Sequence, residues 1–500
     1  MLRALYSGAT GMKTLSQGMQ AVGNNLANVN TVGFKQQQAL FEDLMSQYAG
    51  TGNSATTSIS QVGLGARLTD VRTMYGQGPY ESGTDITDLS INGKGFFQVT
   101  SAGKMHYTRA GNFRFDKDGN LVDPNGFVLN GRAIIDGVEG GTTPISLPPG
   151  AGGRNIMPAK ATTSITAINN LGTGDKSTDA ANPFFSLLSK WDGAAGSPLG
   201  SSSYNYKQDI KVYDAAGNAH DVTVYFDGAG QSGGNKYFEF VVGMNPAQDG
   251  SALAGTSSAG LLMTGTLTFN SSGQLVNMSA YTPTGTDATN LSNWAPATFG
   301  ADGAPQFTAT FASGGGAQTV SLNLGLSSST GTWTAGAGSP AAVGSNAANL
   351  TGMGGATLAT LSTTAYGGSS SEQRVKQNGY AQGFLAGIDI NSDGVISGRY
   401  SNGQKDDLYR ITLYRFTSED GLRREGMNHF SATKDSGAAE EGLPDTENYG
   451  TVAAKSLEQS NVSMEREFVN MIMYQRGFQT NSKSIMTADT MIQKALEMKR

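Results

Sequence analysis

Apolar residues recur at a step of seven at both ends of this chain, and no other feature constrains its fold as tightly. Near the N-terminus the series Leu5, Met12, Met19 and Leu26 runs beside Leu15, Val22 and Val29. Near the C-terminus Met464, Met471, Phe478, Ile485 and Ile492 keep the same step, widened by Phe468, Ile472 and Leu496. Such a stripe marks one face of a long α-helix. The spacing predicts helices over Leu2 to about Val29 and over Met464 to about Met498. Ser463 is placed to cap the second, with Glu465 and Glu467 in the first turn, where the helix dipole favours acids. At 1.5 Å per residue that helix spans roughly 50 Å.

Neither helix reads as self-sufficient. The first contains Gly8, Gly11, Gly18 and Gly23, each costing about 0.8–1 kcal/mol relative to Ala in a helix interior. Its text up to Lys35 holds Arg3, Lys13 and Lys35 but no acid, so no ion pair within the segment supports it. A helix of this kind frays alone in water. The stripes therefore predict order that arrives with a partner, by burial against copies of the same chain. A helix pair laid on a large globular core is the alternative.

Between the ends the sequence is β-like and punctuated by turns. Asn92-Gly93, Asn125-Gly126, Asn130-Gly131, Asn378-Gly379 and Asn402-Gly403 are hairpin signals. Alternating runs Asp209 to Tyr213 and Asp221 to Phe226 flank Asp214-Ala-Ala-Gly217, a strand–turn–strand pattern, and another run covers Leu408 to Phe416. From Lys236 to Arg374 no Lys or Arg intervenes, yet strand-like pieces recur at Leu261 to Phe269 and Thr319 to Leu324. The pattern predicts an α+β fold, mostly β, with long terminal α-helices forming a coiled-coil-like core and nested β domains inserted between them. The expected division is a helical core segment with linker at 1–75 and 451–500, an inner β domain at 76–145 and 375–450, and an outer β module at 146–374 of one or two domains. Both termini then lie at one end of an elongated molecule.

Composition narrows the function. Five hundred residues exceed what one core usually organises. A net charge of −6 lacks the basic footprint that nucleic acid requires. The absence of cysteine excludes disulfides and thiolate metal sites, and it suits a chain that passes unfolded through a narrow conduit. No cleavable secretory signal is readable, and no stretch approaches the ~20 apolar residues of a membrane span.

The most specific text is the run Asn24-Asn25-Leu-Ala-Asn28-Val-Asn30-Thr-Val-Gly33-Phe-Lys35. On residue chemistry alone it is a helix-terminating turn: Asn28 and Asn30 can cap, and Gly33 can take a positive φ. The run resembles the N-terminal signature of the bacterial flagellar rod, hook and hook-associated axial proteins. Asp88 to Phe97, Tyr107 to Phe113 and Asp118 to Asp123 resemble the inner-domain text of that family. Leu457 to Val462, which contains Asn461, and Met471 to Arg476, which ends in Gln475 and Arg476, resemble its C-terminal signature, as does Phe478 to Asn481. The likeness covers roughly 1–135 and 375–500. Tyr206 to Phe226 and Asp389 to Gly403 are further similar to text of the hook proteins within the family.

The resemblance implies a structural subunit of a helical tubular polymer, its paired terminal helices lining the inner tube. The self-assembly core is then Leu5, Met12, Leu15, Met19, Val22 and Leu26 with Met464, Phe468, Met471, Ile472, Phe478, Ile485 and Ile492. Implied partners are identical subunits, the distal rod protein, the hook cap, the hook–filament junction proteins and the flagellar export apparatus. Implied localisation is the extracellular flagellum, reached without a cleaved signal peptide. A rod subunit, or a secreted β-rich adhesin, remains open at this stage.

No catalytic constellation is readable. His106, His220 and His429 are scattered without metal-ligand spacing. Asp389, Asn391, Asp393 and Gly394 fit the start of a calcium loop, but position twelve is Tyr400 where a bidentate Glu is needed. A polar β-turn is the better reading there, and Asp116, Asp118, Asn120 and Asp123 read as hairpin residues. The expectation is no enzyme, no cofactor and no metal.

Overall fold

The computed structural model describes residues 2–45, 47–48, 61–135, 137–147, 155–334, 336 and 338–498. Part of the linker expected within 1–75 lies outside these residues. Helices occupy Leu2–Ala27 and Met464–Glu497, and between them strand is the dominant regular structure. Ser463 caps the C-terminal helix by accepting a hydrogen bond from the Arg466 amide, with Glu465 and Glu467 in its first turn. The mostly β, α+β fold with long terminal helices is therefore realised.

Two compact units are present: residues 1–155 with 385–500, and residues 156–384. The first unit closes on a β domain whose chain order is nested. Strand Val128–Ile135 pairs with Phe96–Ser101, Val138–Pro144 and Lys405–Ile411, so segments from both halves of the sequence share one sheet. Consecutive residues of one strand serve opposite faces. Phe97 joins Leu89, Phe113, Leu129, Ile396 and Val452 in one core, while Phe96 joins Tyr107, Phe416 and Phe430 in another. Strands Gln37–Asp43 and Ala66–Thr73 form a separate two-stranded antiparallel ribbon. Thr14 of the N-terminal helix donates to the Ala66 carbonyl at 3.0 Å.

The second unit is built on a six-stranded antiparallel meander, Tyr206–Tyr213, Ala219–Ser232, Asn235–Met244, Leu261–Phe269, Leu275–Pro283 and Trp294–Pro296. A four-stranded sheet of Gln306–Thr310, Ala317–Asn323, Ser164–Asn170 and Ser371–Gln377 packs on one face through Phe226, Phe240, Leu267, Phe307 and Leu322. The other face is covered by Phe184, Phe185, Leu187, Leu188 and Trp191. Because the central strands are buried on both faces, they leave no room for Lys or Arg within them. Charge returns at Glu372 inside strand Ser371–Gln377, which pairs with Ser164–Asn170 within this unit.

The Asn-Gly signals divide. Asn125-Gly126 and Asn402-Gly403 sit at turns between paired strands, with Gly126 and Gly403 at φ 83° and 78°. Asn130-Gly131 instead lies inside strand Val128–Ile135. There Asn130 is buried and donates to Gln98 and Thr100 at 2.8 and 2.7 Å. A Cβ on Gly131 would meet the Arg410 carbonyl at 2.7 Å, so the glycine serves close strand approach rather than a turn. Asn92 ends, and Asn378 follows, a strand whose partner is distant in sequence, Thr451–Ala454 and Ser164–Asn170 respectively.

Candidate self-assembly core

The two terminal helices run antiparallel against each other. Ideal Cβ atoms on Gly8, Gly11 and Gly18 would stand 2.9 Å from Ile485 Cγ1, 2.7 Å from Asn481 Nδ2 and 3.0 Å from Tyr474 Cε2. From the other side, Gly477 meets Leu15 Cδ1 in the same way at 2.9 Å. Three of the glycines that weaken the N-terminal helix therefore mark where the C-terminal helix approaches it. Gly23 has open space beside it.

The expected stripe residues fall into two groups. On the N-terminal helix Val22 is buried and Leu5, Met12, Leu15, Met19 and Leu26 are half-buried. On the C-terminal helix Met471, Ile485 and Ile492 are half-buried. Met464, Phe468, Ile472 and Phe478 remain exposed, Ile472 at 50%. Val469, Met473, Met486, Met491 and Leu496 are exposed too. An exact seven-residue step drifts around a straight helix by about 20° per heptad, so one partner cannot cover it along its whole length. Only Glu467 and Ala488 are buried on this helix. A long helix with most of its large apolar side chains facing solvent is an unfinished surface.

Where the N-terminal helix ends, the signature run fastens it. Asn28 donates back to the Asn24 carbonyl at 2.8 Å. Asn25 both donates to the Gln37 carbonyl at 2.7 Å and accepts from the Gln37 amide at 2.8 Å, pairing the ribbon backbone as a neighbouring strand would. Gly33 takes φ 69°, and a Cβ there would stand 2.5 Å from the Ala110 amide nitrogen. Lys35 is wholly buried. Its Nζ donates to Glu458 Oε1 at 2.6 Å and to the Gly76 carbonyl at 2.9 Å. Glu458 also accepts from Arg109 Nη1 at 3.2 Å and from the Gly78 amide at 3.0 Å. Burial pulls the Lys35 ammonium below its ordinary value, opposed chiefly by Glu458. Asn461 closes the same junction, accepting from the Gln36 amide and donating to the Met74 and Gly76 carbonyls.

Of the signature residues, Gly33, Lys35 and Asn461 meet at this junction, Asn25 ties the helix end to the ribbon and Asn24 and Asn28 bond each other, whereas Asn30, Gln475 and Arg476 are exposed. Sequence reasoning missed Glu458 and Arg109 as the counter-charges, and Glu467, whose Oε1 accepts from Gln36 Nε2 at 2.5 Å. A charge inventory restricted to the two end signatures does point there: an isolated Lys needs an acid, and Leu457-Glu458 supplies it. Elsewhere, His220 contacts Asp214 at 3.1 Å and His429 contacts Asp123 at 2.7 Å. Asp389 pairs with Arg399 at 2.9 Å, and the Asn391 side chain accepts from the Val395 amide in the intervening turn. Asp116 accepts from the Asp118 and Asn120 amides in its own turn. Among the described residues no group of three metal-ligating side chains converges, and no helix is long and apolar enough to cross a membrane.

Residues 5–35 match the family described as flagella basal body rod protein, and residues 453–498 the flagellar basal body rod FlgEFG protein C-terminal family. Residues 90–172 match the flagellar hook protein FlgE/F/G D1 domain, and 186–380 the flagellar basal body protein FlaE D2 domain. The flagellar hook protein FlgE of Escherichia coli is 30% identical over 98% of both chains. Those of Borreliella burgdorferi and Treponema pallidum are each 30% identical over the full length of both. The crystal structure of Helicobacter pylori flagellar hook protein FlgE2 superposes with a TM-score of 0.45 at 14% identity, covering 76% of this chain and 100% of that one.

Proposed function

Since the chain belongs to the flagellar hook protein FlgE family and is a subunit of the hook, the flexible joint between rod and filament, we propose that its terminal helices are the surface through which copies polymerise. The observation that carries this reading is the exposed apolar side of Met464–Glu497, with Phe468, Ile472, Met473, Met486 and Met491 all open to solvent. Identical subunits joined by contacts that do not close on themselves build a helical tube. Burying a Leu- or Phe-sized side chain contributes about 1.5–3 kcal/mol, so a handful per subunit suffices for a stable polymer. The family is structural, and in this reading the chain performs no catalysis of its own.

The polymer's neighbours are proposed to be the distal rod protein, the hook cap and the hook–filament junction proteins. Transit is proposed to run through the flagellar export apparatus to the cell exterior, the N-terminal helix being retained in the assembled core rather than cleaved away. The absence of cysteine fits such transit, since no crosslink can form on the way.

Negative-stain microscopy of purified protein tests the reading. Curved tubes are expected from the wild type, and no tubes from Phe468→Asp with Ile472→Asp, while circular dichroism and the melting temperature of the monomer stay nearly unchanged. Tubes from the double variant would refute the assigned surface.

A further inference from the structure

The unit 156–384 carries a polar row across an otherwise apolar sheet face. Directly opposed residues on successive strands are Asp227, Glu239, Thr266 and Ser279, and each is buried at 1% exposure or less. Opposed pairs point to the same side of a sheet with Cβ atoms about 4.5–5.5 Å apart, so Asp227 and Glu239 are side-by-side carboxyls out of contact with water. Two buried like charges at that separation cannot both persist cheaply.

A strap formed by residues 178–191 lies over them, and both acids hold it. Asp227 Oδ2 accepts from the Thr178 amide and hydroxyl at 2.9 and 2.8 Å. Glu239 accepts from the Ser186 hydroxyl and from the Leu187 amide, the latter at 3.2 Å. The strap's Phe184, Phe185, Leu187, Leu188 and Trp191 seal the apolar face on either side of this clasp. Asp227 Oδ1 is buried with no hydrogen-bond partner among the described residues, and Glu239 is the residue directly opposite Asp227 on the next strand. One cation faces the pair, Lys190 of the strap, and it acts to lower both acids, but burial outweighs it. Lys190 of the strap donates to Thr178 Oγ1 at 2.7 Å, Asp179 accepts from the Ala181 and Asn182 amides, and the neighbouring strands present only Thr266 and Ser279.

We infer that Asp227 and Glu239 form a buried two-carboxyl site that holds one proton between them at neutral pH, and that this proton keeps the strap 178–191 clasped to the sheet. The donor is Glu239 and the vacant acceptor is Asp227 Oδ1. Burial raises both acids, pushing Glu239 up to about 8. When the strap lifts, water reaches Glu239 and its pKa returns toward the ordinary 4.5. The closed state therefore retains a proton that the open state releases. Between those two values each unit of rising pH favours opening about tenfold, and above the upper one the dependence ends, because the closed state is then ionised as well.

Backbone amide exchange of the full chain, corrected for intrinsic rates, reads this out at Thr178 and Leu187. Protection is expected to fall about tenfold per pH unit from pH 5 to about 8 and to level off beyond. Glu239→Gln, which keeps an acceptor for Ser186 and Leu187, is expected to abolish the slope. A flat profile in the wild type, or the same slope in E239Q, would overturn the inference. Should that variant not fold, the carboxyl carbon shift of Glu239 in the wild type decides: a midpoint near 8 supports the site, and one between 4 and 5 removes it.

Discussion

Glu458 serves two cations, Lys35 and Arg109, in a junction closed to water. Removing one member of a buried charged set leaves the others desolvated and unpaired, a loss of about 3–5 kcal/mol. Glu458→Gln is therefore expected to lower the melting transition of the unit holding residues 1–155 and 385–500. The double variant with Lys35→Met is expected to lose less than the sum of the two single changes, as measured in a thermodynamic cycle. Acid behaviour follows from another buried carboxyl. At Asp214 burial acts to raise the pKa, but hydrogen bonds from Asn218, His220 and Ser313 outweigh it and hold the group far below its ordinary 3.8. Its folded value being depressed, the stabilisation is present above pH 3.8 and is lost only as pH falls well below it. Ser313→Ala should move the acid-unfolding midpoint of the unit 156–384 upward. At this scale the sequence shows which residues are unusual but not what they meet. Lys35 and Asn461 stand out in the signature text, yet Glu458 lies 423 positions from Lys35, beyond any local spacing rule.

At the scale of elements, periodicity carries the furthest. Both terminal helices are legible from seven-residue steps, and the N-terminus of the second is legible from Ser463. The helix glycines are the instructive failure, because propensity registers their cost while saying nothing of the facing residue. The structure separates them and predicts opposite outcomes. Gly18→Val would drive a side chain into Phe41 and Tyr474, both already 3.0 Å from the ideal Cβ, and should destabilise the helix pair by about 1–3 kcal/mol, as overpacking does. Gly23→Ala enters open space and should stabilise it by up to about 1 kcal/mol. Thermal denaturation of both variants checks the contrast. Asn-Gly pairs fail for a related reason: Asn130-Gly131 has turn chemistry, but sheet partners on both sides hold it extended. Methionine is compliant in packing, and Met471→Ile with Met486→Ile is expected to stiffen or straighten the polymer, as measured by its curvature in micrographs.

For the whole molecule, each compact unit has its own cores: Leu89, Phe97 and Phe113 in one, Phe226, Phe240 and Leu267 in the other. Separate cores imply separable unfolding. Residues 156–384 expressed alone should melt in one cooperative transition by calorimetry, since Lys160 and Tyr380 bridge near its two ends through a reciprocal pair of 2.9 Å backbone hydrogen bonds. What composition could not reveal was the two-sided burial in that unit, because a chain rich in Gly, Ser and Thr without basic residues reads equally as loop. The junction at Lys35 also sets an order of events. A polypeptide delivered from its N-terminus presents that lysine hundreds of residues before the glutamate that neutralises it. The intervening 156–384 unit can close while the junction still waits for its last member. If the terminal helices recruit the next copy, as proposed, then the C-terminal half of that surface lies beyond Glu458 and is the last part of each subunit to arrive.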